Sequence, residues 1–205
     1  MTVKRMLKTG AALLLAAAAL LSFSSCAKEE VAASRPSYDG ARLSEYLDPV
    51  AYEGLTVAVA EGESKSEAIW RAVLLGASVK EYPAEQVAYY REQLRLEYEY
   101  LADREGVRYE DLLALRGVTE EELSEEARAM VKSDLVLLWI LSDAGIALSD
   151  AEVSAHYDRY ADRYVERYGY DRAYVDGYLR EQVLESMLFD KTMEYLILHN
   201  TLQEA

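Results

Sequence analysis

Thr119-Glu120-Glu121-Glu122-Leu123-Ser124-Glu125-Glu126-Ala127-Arg128-Ala129-Met130-Val131-Lys132-Ser133-Asp134-Leu135-Val136-Leu137-Leu138-Trp139-Ile140-Leu141-Ser142-Asp143-Ala144-Gly145 is an uninterrupted helix signal. Thr119 and Glu122 stand in capping-box positions, where hydroxyl and carboxylate each satisfy a backbone N–H that the first turn leaves without a partner. Leu123, Ala127, Met130, Val131, Leu135, Leu138 and Leu141 recur at helical spacing and mark the inward face. At 1.5 Å per residue the helix is roughly 38 Å long, and it ends near Gly145. Five carboxylates between Glu120 and Glu126 suit the positive end of the helix dipole. They read as a solvated face, because one helix face does not supply the convergent oxygens that a cation needs.

The same grammar extends in both directions. Downstream, Ser149-Asp150-Ala151-Glu152 opens a helix carrying Tyr157, Tyr160, Tyr164 and Tyr168 before Gly169, and a last helix runs from near Asp171 through Tyr174, Tyr178, Val183, Met187 and Tyr195 to Leu198. Upstream, Ser64-Lys65-Ser66-Glu67 opens a helix to about Val79, with Ile69, Ala72, Val73 and Gly76 on one face. Pro83 suits the first turn of the next, where Val87, Tyr90, Leu94, Tyr98 and Leu101 recur until Gly106. A short helix spans Tyr109 to Arg116. Leu55 to Ala60 is the one segment that reads as a strand, and it needs a partner, either Tyr46 to Tyr52 or another chain. The expected fold is all-α, an elongated multi-helix module with a short β-like N-terminal segment; no heptad repeat is sustained.

The first 25 residues read as a secretory signal. Lys4, Arg5 and Lys8 precede the apolar run Ala11 to Leu21, which is short of the ~20 residues that span a bilayer. Phe23-Ser24-Ser25-Cys26 resembles the lipobox of bacterial lipoproteins, with Phe23 where an aliphatic residue is usual, and makes Cys26 the expected lipidation site. The expected organisation is a signal peptide over 1–25, a flexible tether over 26–54 and a helical domain over 55–205, with the protein extracytoplasmic and membrane-anchored through its lipid. Cys26 is the sole cysteine, so no disulfide is available. A net charge of −15 argues against nucleic-acid and anionic-lipid partners.

Catalytic constellations are scarce. His156 and His199 lack a metal-ligand spacing; Glu152 and His156 share a helix face but want a third ligand. No phosphate loop, nucleophile elbow or Cys-His pair occurs, so the chain is not expected to be an enzyme and no cofactor or metal is implied. Tyrosine stands out instead, 17 residues against two Phe, with seven from Tyr157 to Tyr178. A tyrosine stripe at three- and four-residue spacing is either a core seam with hydroxyls at the rim or a surface gripping many partners weakly.

Val79-Lys80-Glu81-Tyr82-Pro83, Gly117 to Leu123, Val131 to Leu137, Ala144 to Val153 and Leu184 to Leu196 resemble, in order and spacing, the C-terminal chaperone domain of bacterial trigger factor. SurA-like extracytoplasmic chaperones share a similar helical module. The resemblance implies an ATP-independent holdase or foldase for unfolded or nascent exported polypeptides, with Tyr157, Tyr160, Tyr164, Tyr168, Tyr170, Tyr174 and Trp139 as client-facing candidates. The family's ribosome-docking loop, Gly-Phe-Arg-x-Gly-Lys-x-Pro, does not occur, so no ribosome contact is expected. Ser44 to Val57 resembles the segment leading into the family's FKBP-type prolyl isomerase domain, but the few residues from Val57 to Ser64 cannot hold a domain of ~100 residues. The alternative is a structural or adaptor lipoprotein binding one dedicated cell-envelope partner.

Overall fold

Capping and amphipathic periodicity produce the expected helices. The computed structural model describes Tyr38 and residues 42–204; the signal peptide, Cys26 and the first part of the tether lie outside the described residues. In chain order the elements are α1 (Leu43–Tyr46), β1 (Thr56–Val59), α2 (Lys65–Gly76), α3 (Ala84–Glu105), α4 (Tyr109–Arg116), α5 (Glu120–Ala144), α6 (Asp150–Tyr168), α7 (Arg172–Tyr178), α8 (Arg180–Leu198) and β2 (Thr201–Glu204). The capping boxes form at Ser64 and Ser149, and at Thr119 the backbone N–H donates to Glu122 while Oγ1 accepts from the Glu122 N–H. Gly106, Gly117 and Gly169 close α3, α4 and α6 in the left-handed conformation, which glycine adopts without a Cβ penalty.

The fold divides into two units, with the boundary inside α5 between Leu135 and Val136. The first comprises the described residues up to 48 together with 79–135. Its core gathers Leu47, Tyr90, Leu94, Leu112, Leu123, Ala127, Val131 and Leu135. Asp134 is also buried there, its carboxylate accepting the Tyr90 hydroxyl at 2.5 Å and the Tyr38 hydroxyl at 2.9 Å. From Leu43 on, the segment expected to be flexible tether is structured. Leu43 and Leu47 are buried in this unit, and Leu47 bridges Val79 while the Lys80 N–H donates to the Tyr46 carbonyl. Such a four-residue helix has no local signal, because its stability comes from a partner segment far along the chain.

The second unit comprises 49–78 and 136–205. Its two strands pair in parallel, Thr56 with Thr201 through Val59 with Glu204. This supplies the partner that Leu55 to Ala60 needed, and it is neither Tyr46 to Tyr52 nor a second chain. Thr201-Leu202-Gln203-Glu204 lacks a repeating apolar alternation, so the sequence gives no strand signal there. Asn200 fastens the junction: Oδ1 accepts from the Leu55 N–H at 2.7 Å, and Nδ2 donates to the carbonyls of Tyr52 and Leu196. Val57 and Val59 are buried with Ile69, Val73, Met193 and Leu196, and Trp70 of α2 meets Phe189 of α8 edge-on at 5.4 Å. Val50 and Tyr52, also expected in the tether, belong to this core. The single last helix expected from Asp171 is broken at Leu179 (φ −108°, ψ 11°), which ends α7 and precedes α8. Gly177 weakens the helix there, and burial of both Val175 and Leu179 rewards the bend.

Replacing Asn200 with Ala leaves the Leu55 N–H and the Tyr52 carbonyl without their side-chain partners. The expected loss is about 2–3 kcal/mol of unfolding free energy, read by denaturant unfolding.

In the first unit, Glu97 of α3 and Glu126 of α5 are half-buried; burial and the nearby Glu126 raise the Glu97 carboxyl above the usual range, and burial raises that of Glu126. A carboxyl raised on folding holds its proton more tightly in the native state, so stability falls as pH rises through the raised value. Glu126→Gln should therefore stabilise the fold at neutral pH and flatten that part of the profile, in urea titrations repeated across pH.

Candidate functional site

The tyrosine-rich helix α6 has a single apolar stripe, because Asp158, Arg159, Asp162, Arg163, Glu166 and Arg167 occupy its other faces. An amphipathic helix buries the one apolar stripe it has. Tyr157, Tyr160 and Tyr164 are accordingly buried. The Tyr160 hydroxyl donates to Asp190 at 2.7 Å, and that of Tyr164 reaches the Gln182 carbonyl at 3.1 Å and shares a hydrogen bond with Ser186 at 2.9 Å. Arg163 lies over the Tyr160 ring at 4.1 Å and Arg180 over that of Tyr157 at 4.6 Å. Burial pushes the Tyr164 hydroxyl up to about 12. These three residues form a core seam, with the Tyr160 and Tyr164 hydroxyls bonded at part-buried positions and that of Tyr157 buried, and the expectation that they face clients is corrected on this ground.

The stripe does not stop in the core. Ring centroids continue from Tyr164 to Tyr168 at 5.7 Å, to Tyr170 at 5.8 Å, to Tyr174 at 5.2 Å and to Tyr178 at 5.2 Å, the last pair stacked at 28°. Tyr168, Tyr170 and Tyr174 are half-buried, whereas Tyr178 is 77% exposed. The series thus carries an aromatic surface outward from the core, each ring supported by the one beneath it. Arg172 braces this end of the unit, its guanidinium bonded to Asp158 and Asp162 of α6 and to Asp176 of α7. That guanidinium holds the Asp176 carboxyl below its usual range. Tyr178 was absent from the expected site residues, although its spacing of four from Tyr174, itself four from Tyr170, carries the signal. Trp139 is half-buried on α5.

The first unit presents its own apolar exposure. Leu96 and Tyr100 are solvent-exposed at positions i and i+4 of α3, and Leu115 is exposed near the end of α4. In the second unit Leu75 and Leu198 are also exposed. Scattered single apolar residues are ordinary on protein surfaces, so the adjacent pair on α3 and the supported ring of Tyr178 are the more telling features.

Glu152 and His156, paired on one face of α6 in the sequence, do not form a joint site. The Glu152 carboxylate bonds Lys191 at 2.6 Å and Ser149, which hold it down at about 2; His156 is exposed. His199 stacks on Tyr195 at 3.9 Å. Among the described residues no three His, Cys, Asp or Glu side chains gather as metal ligands.

These features define an all-α module whose polar groups support packing and which leaves several leucines and tyrosines exposed to solvent. The family model of the bacterial trigger factor protein C-terminus matches residues 58–200. The chain belongs to this family, and its general role is chaperone-like, in protein folding. No curated protein and no solved structure matches the chain.

Tyr160→Ser removes a buried ring and its bond to Asp190, with an expected cost of about 3–5 kcal/mol. Tyr178→Ser should leave stability within about 0.5 kcal/mol. Thermal and denaturant unfolding of the two variants side by side separates core from surface.

Proposed function

We propose that the chain is an ATP-independent holdase or foldase acting outside the cytoplasm, anchored through lipid on Cys26, that shields unfolded exported polypeptides. The observation that carries this reading is the tyrosine series ending at exposed Tyr178. Tyrosine gives a large apolar contact at low entropic cost while its hydroxyl stays hydrated. Weak, sequence-tolerant contacts of this kind suit a protein whose clients differ. The net charge of −15 favours solubility of a complex loaded with apolar chain. Export is supported by the basic, then apolar, then small-residue order of residues 1–26. The chain acts without prolyl isomerisation in this reading, since β1 passes to α2 through residues 60–64 alone.

The deciding assay follows aggregation of a chemically unfolded model protein in the presence of the full chain, with proline-limited refolding measured on the same samples. Suppression of aggregation without faster isomerisation is expected, and the triple substitution Leu96→Ser, Tyr100→Ser, Tyr178→Ser should weaken suppression severalfold at unchanged stability. No suppression by the parent chain would overturn the proposal in favour of an adaptor with one dedicated partner.

A further inference from the structure

Helix α6 carries its charges on two separate flanks. Asp158, Asp162 and Glu166 recur every four residues on one side of the tyrosine stripe, and Arg159, Arg163 and Arg167 on the other, with His156 one turn before Arg159. The acidic flank is met from within the unit, since Arg172 of α7 bonds Asp158 at 2.5 Å and Asp162 at 2.7 Å. The basic flank is left largely unmet. Glu152 at its start is held by Lys191. Arg163 lies 3.7 Å from Asp190, whose carboxylate already accepts the Tyr160 hydroxyl. Among the described residues no carboxylate pairs with Arg159 or Arg167, and Glu166, the nearest acidic residue along the helix, pairs with none of the three. By contrast Arg95, Arg108 and Arg116 are answered by Glu92, Asp111 and Glu105.

Like charges at four-residue spacing weaken a helix, and the dipole compensates only Arg167, in the last turn. The tyrosine rings hold the row in place instead. Arg163 lies over the Tyr160 ring at 4.1 Å, Arg159 over the same ring at 5.4 Å and Arg167 over that of Tyr168 at 5.5 Å. A guanidinium resting on an aromatic face keeps the N–H donors at its edge available to oxyanions. The row is exposed along its whole length, His156 included.

We propose that Arg159, Arg163 and Arg167 dock α6 on an anionic bilayer, their guanidiniums bonding lipid phosphates. The inference rests on the membrane-anchored reading above, which supplies the bilayer. Charge chooses this occupant over a dissolved polyanion. The net charge of −15 repels any polyanion arriving from solution, so a few cations are enough only for a partner held close, as a bilayer is once the chain is anchored to it. At physiological salt, charge is screened beyond about 8 Å. A surface that touches the row is therefore insulated from carboxylates elsewhere on the chain. Geometry agrees, because eight residues of straight helix set the three guanidiniums along roughly 12 Å, a linear array suited to a flat field of headgroups. The attraction of an anionic leaflet for such residues grows with each cation brought near it, and guanidinium meets phosphate through paired N–H donors. The net charge thus argues against anionic lipid for the chain as a whole, and the outer flank of α6 is the local exception.

Footprinting with an arginine-selective dicarbonyl, read by mass spectrometry, tests this. The full chain is coupled through Cys26, its sole cysteine, to a maleimide lipid in vesicles of phosphatidylcholine, or of phosphatidylcholine mixed with phosphatidylglycerol. Modification of Arg159, Arg163 and Arg167 should slow severalfold on the anionic vesicles alone, and molar salt should abolish the difference. Arg104, exposed on α3 with no second arginine one turn away on that helix, should stay reactive on both. Arg159→Gln combined with Arg167→Gln removes the two guanidiniums that have no ion pair, so the double variant should keep the melting temperature and return Arg163 to its rate on neutral vesicles. Equal reactivity of the row on both vesicles, equal protection of Arg104, protection that survives molar salt, or a folded double variant whose Arg163 stays protected would each overturn the proposal. So would protection by a dissolved acidic polypeptide but not by vesicles. Because the coupling supplies the anchor, these outcomes hold whether or not cells attach lipid to Cys26, and the mass of the Cys26 peptide from cells tests the anchored reading by itself.

Discussion

The second unit depends on a parallel pairing between strands at opposite ends of the described chain. Leu55 and Asn200 are 145 residues apart and joined by a 2.7 Å bond. Closing so long a loop is entropically costly, though the cost grows only slowly with length, and a two-stranded sheet does not offset it unaided. The compensation comes from packing, since Val57 and Val59 are buried with α2 and α8 residues, and from Asn200, whose side-chain amide satisfies three main-chain groups at the turn from α8 into β2. Because the unit is assembled from 49–78 and 136–205, this closure is also what makes it one unit.

A second device recurs in both units. Tyr90 donates to Asp134, Tyr52 to Asp143, Tyr160 to Asp190, Tyr109 to Glu120 and Tyr195 to Glu53. A chain with 37 acidic residues and two phenylalanines can use tyrosine to fill its interior, because the ring contributes apolar area while the hydroxyl meets a carboxylate that is costly to desolvate alone. Burial and the adjoining carboxylate raise the hydroxyls of Tyr52, Tyr109 and Tyr160, that of Tyr109 to about 12, and the bond to Glu53 raises that of Tyr195, so these four remain donors at any physiological pH. The abundance of tyrosine is therefore first a matter of stability. Tyr178, 77% exposed at the end of the series, is the ring that presents itself to solvent.

Legibility from sequence followed the range of the interactions. Capping boxes at Ser64, Thr119 and Ser149 and the glycines after α3, α4 and α6 are local devices, and they placed most helix ends within a few residues. Leu43, Leu47 and Tyr52 were hidden among polar residues, since their burial depends on segments such as Val79 and Asn200 that no local window contains. The polar strand Thr201–Glu204 was hidden for the same reason. The tyrosine stripe of α6 was visible, but its direction was ambiguous until the charged residues around the rest of that helix were given weight: with no second apolar face, the stripe had to point inward. Applied to α7, that reasoning would have singled out Tyr178, whose neighbours Val175 and Leu179 take the buried positions.

The distribution of apolar exposure constrains what kind of chaperone-like surface this is. A single deep cleft would concentrate large apolar residues in one place and recognise a defined shape. Here the exposed residues are spread, with Leu96, Tyr100 and Leu115 in one unit and Leu75, Tyr178 and Leu198 in the other. In the function proposed above, each would contribute a small contact, so affinity for an extended polypeptide would be a sum of weak contacts and would fall steeply as the client folds and its apolar residues withdraw. On that proposal release would need no nucleotide, because the client's own folding free energy would end the interaction. The net charge of −15 opposes the merging of such contacts into an aggregating patch, so the proposed holdase would bind chains while they are unfolded and let them go once they are not.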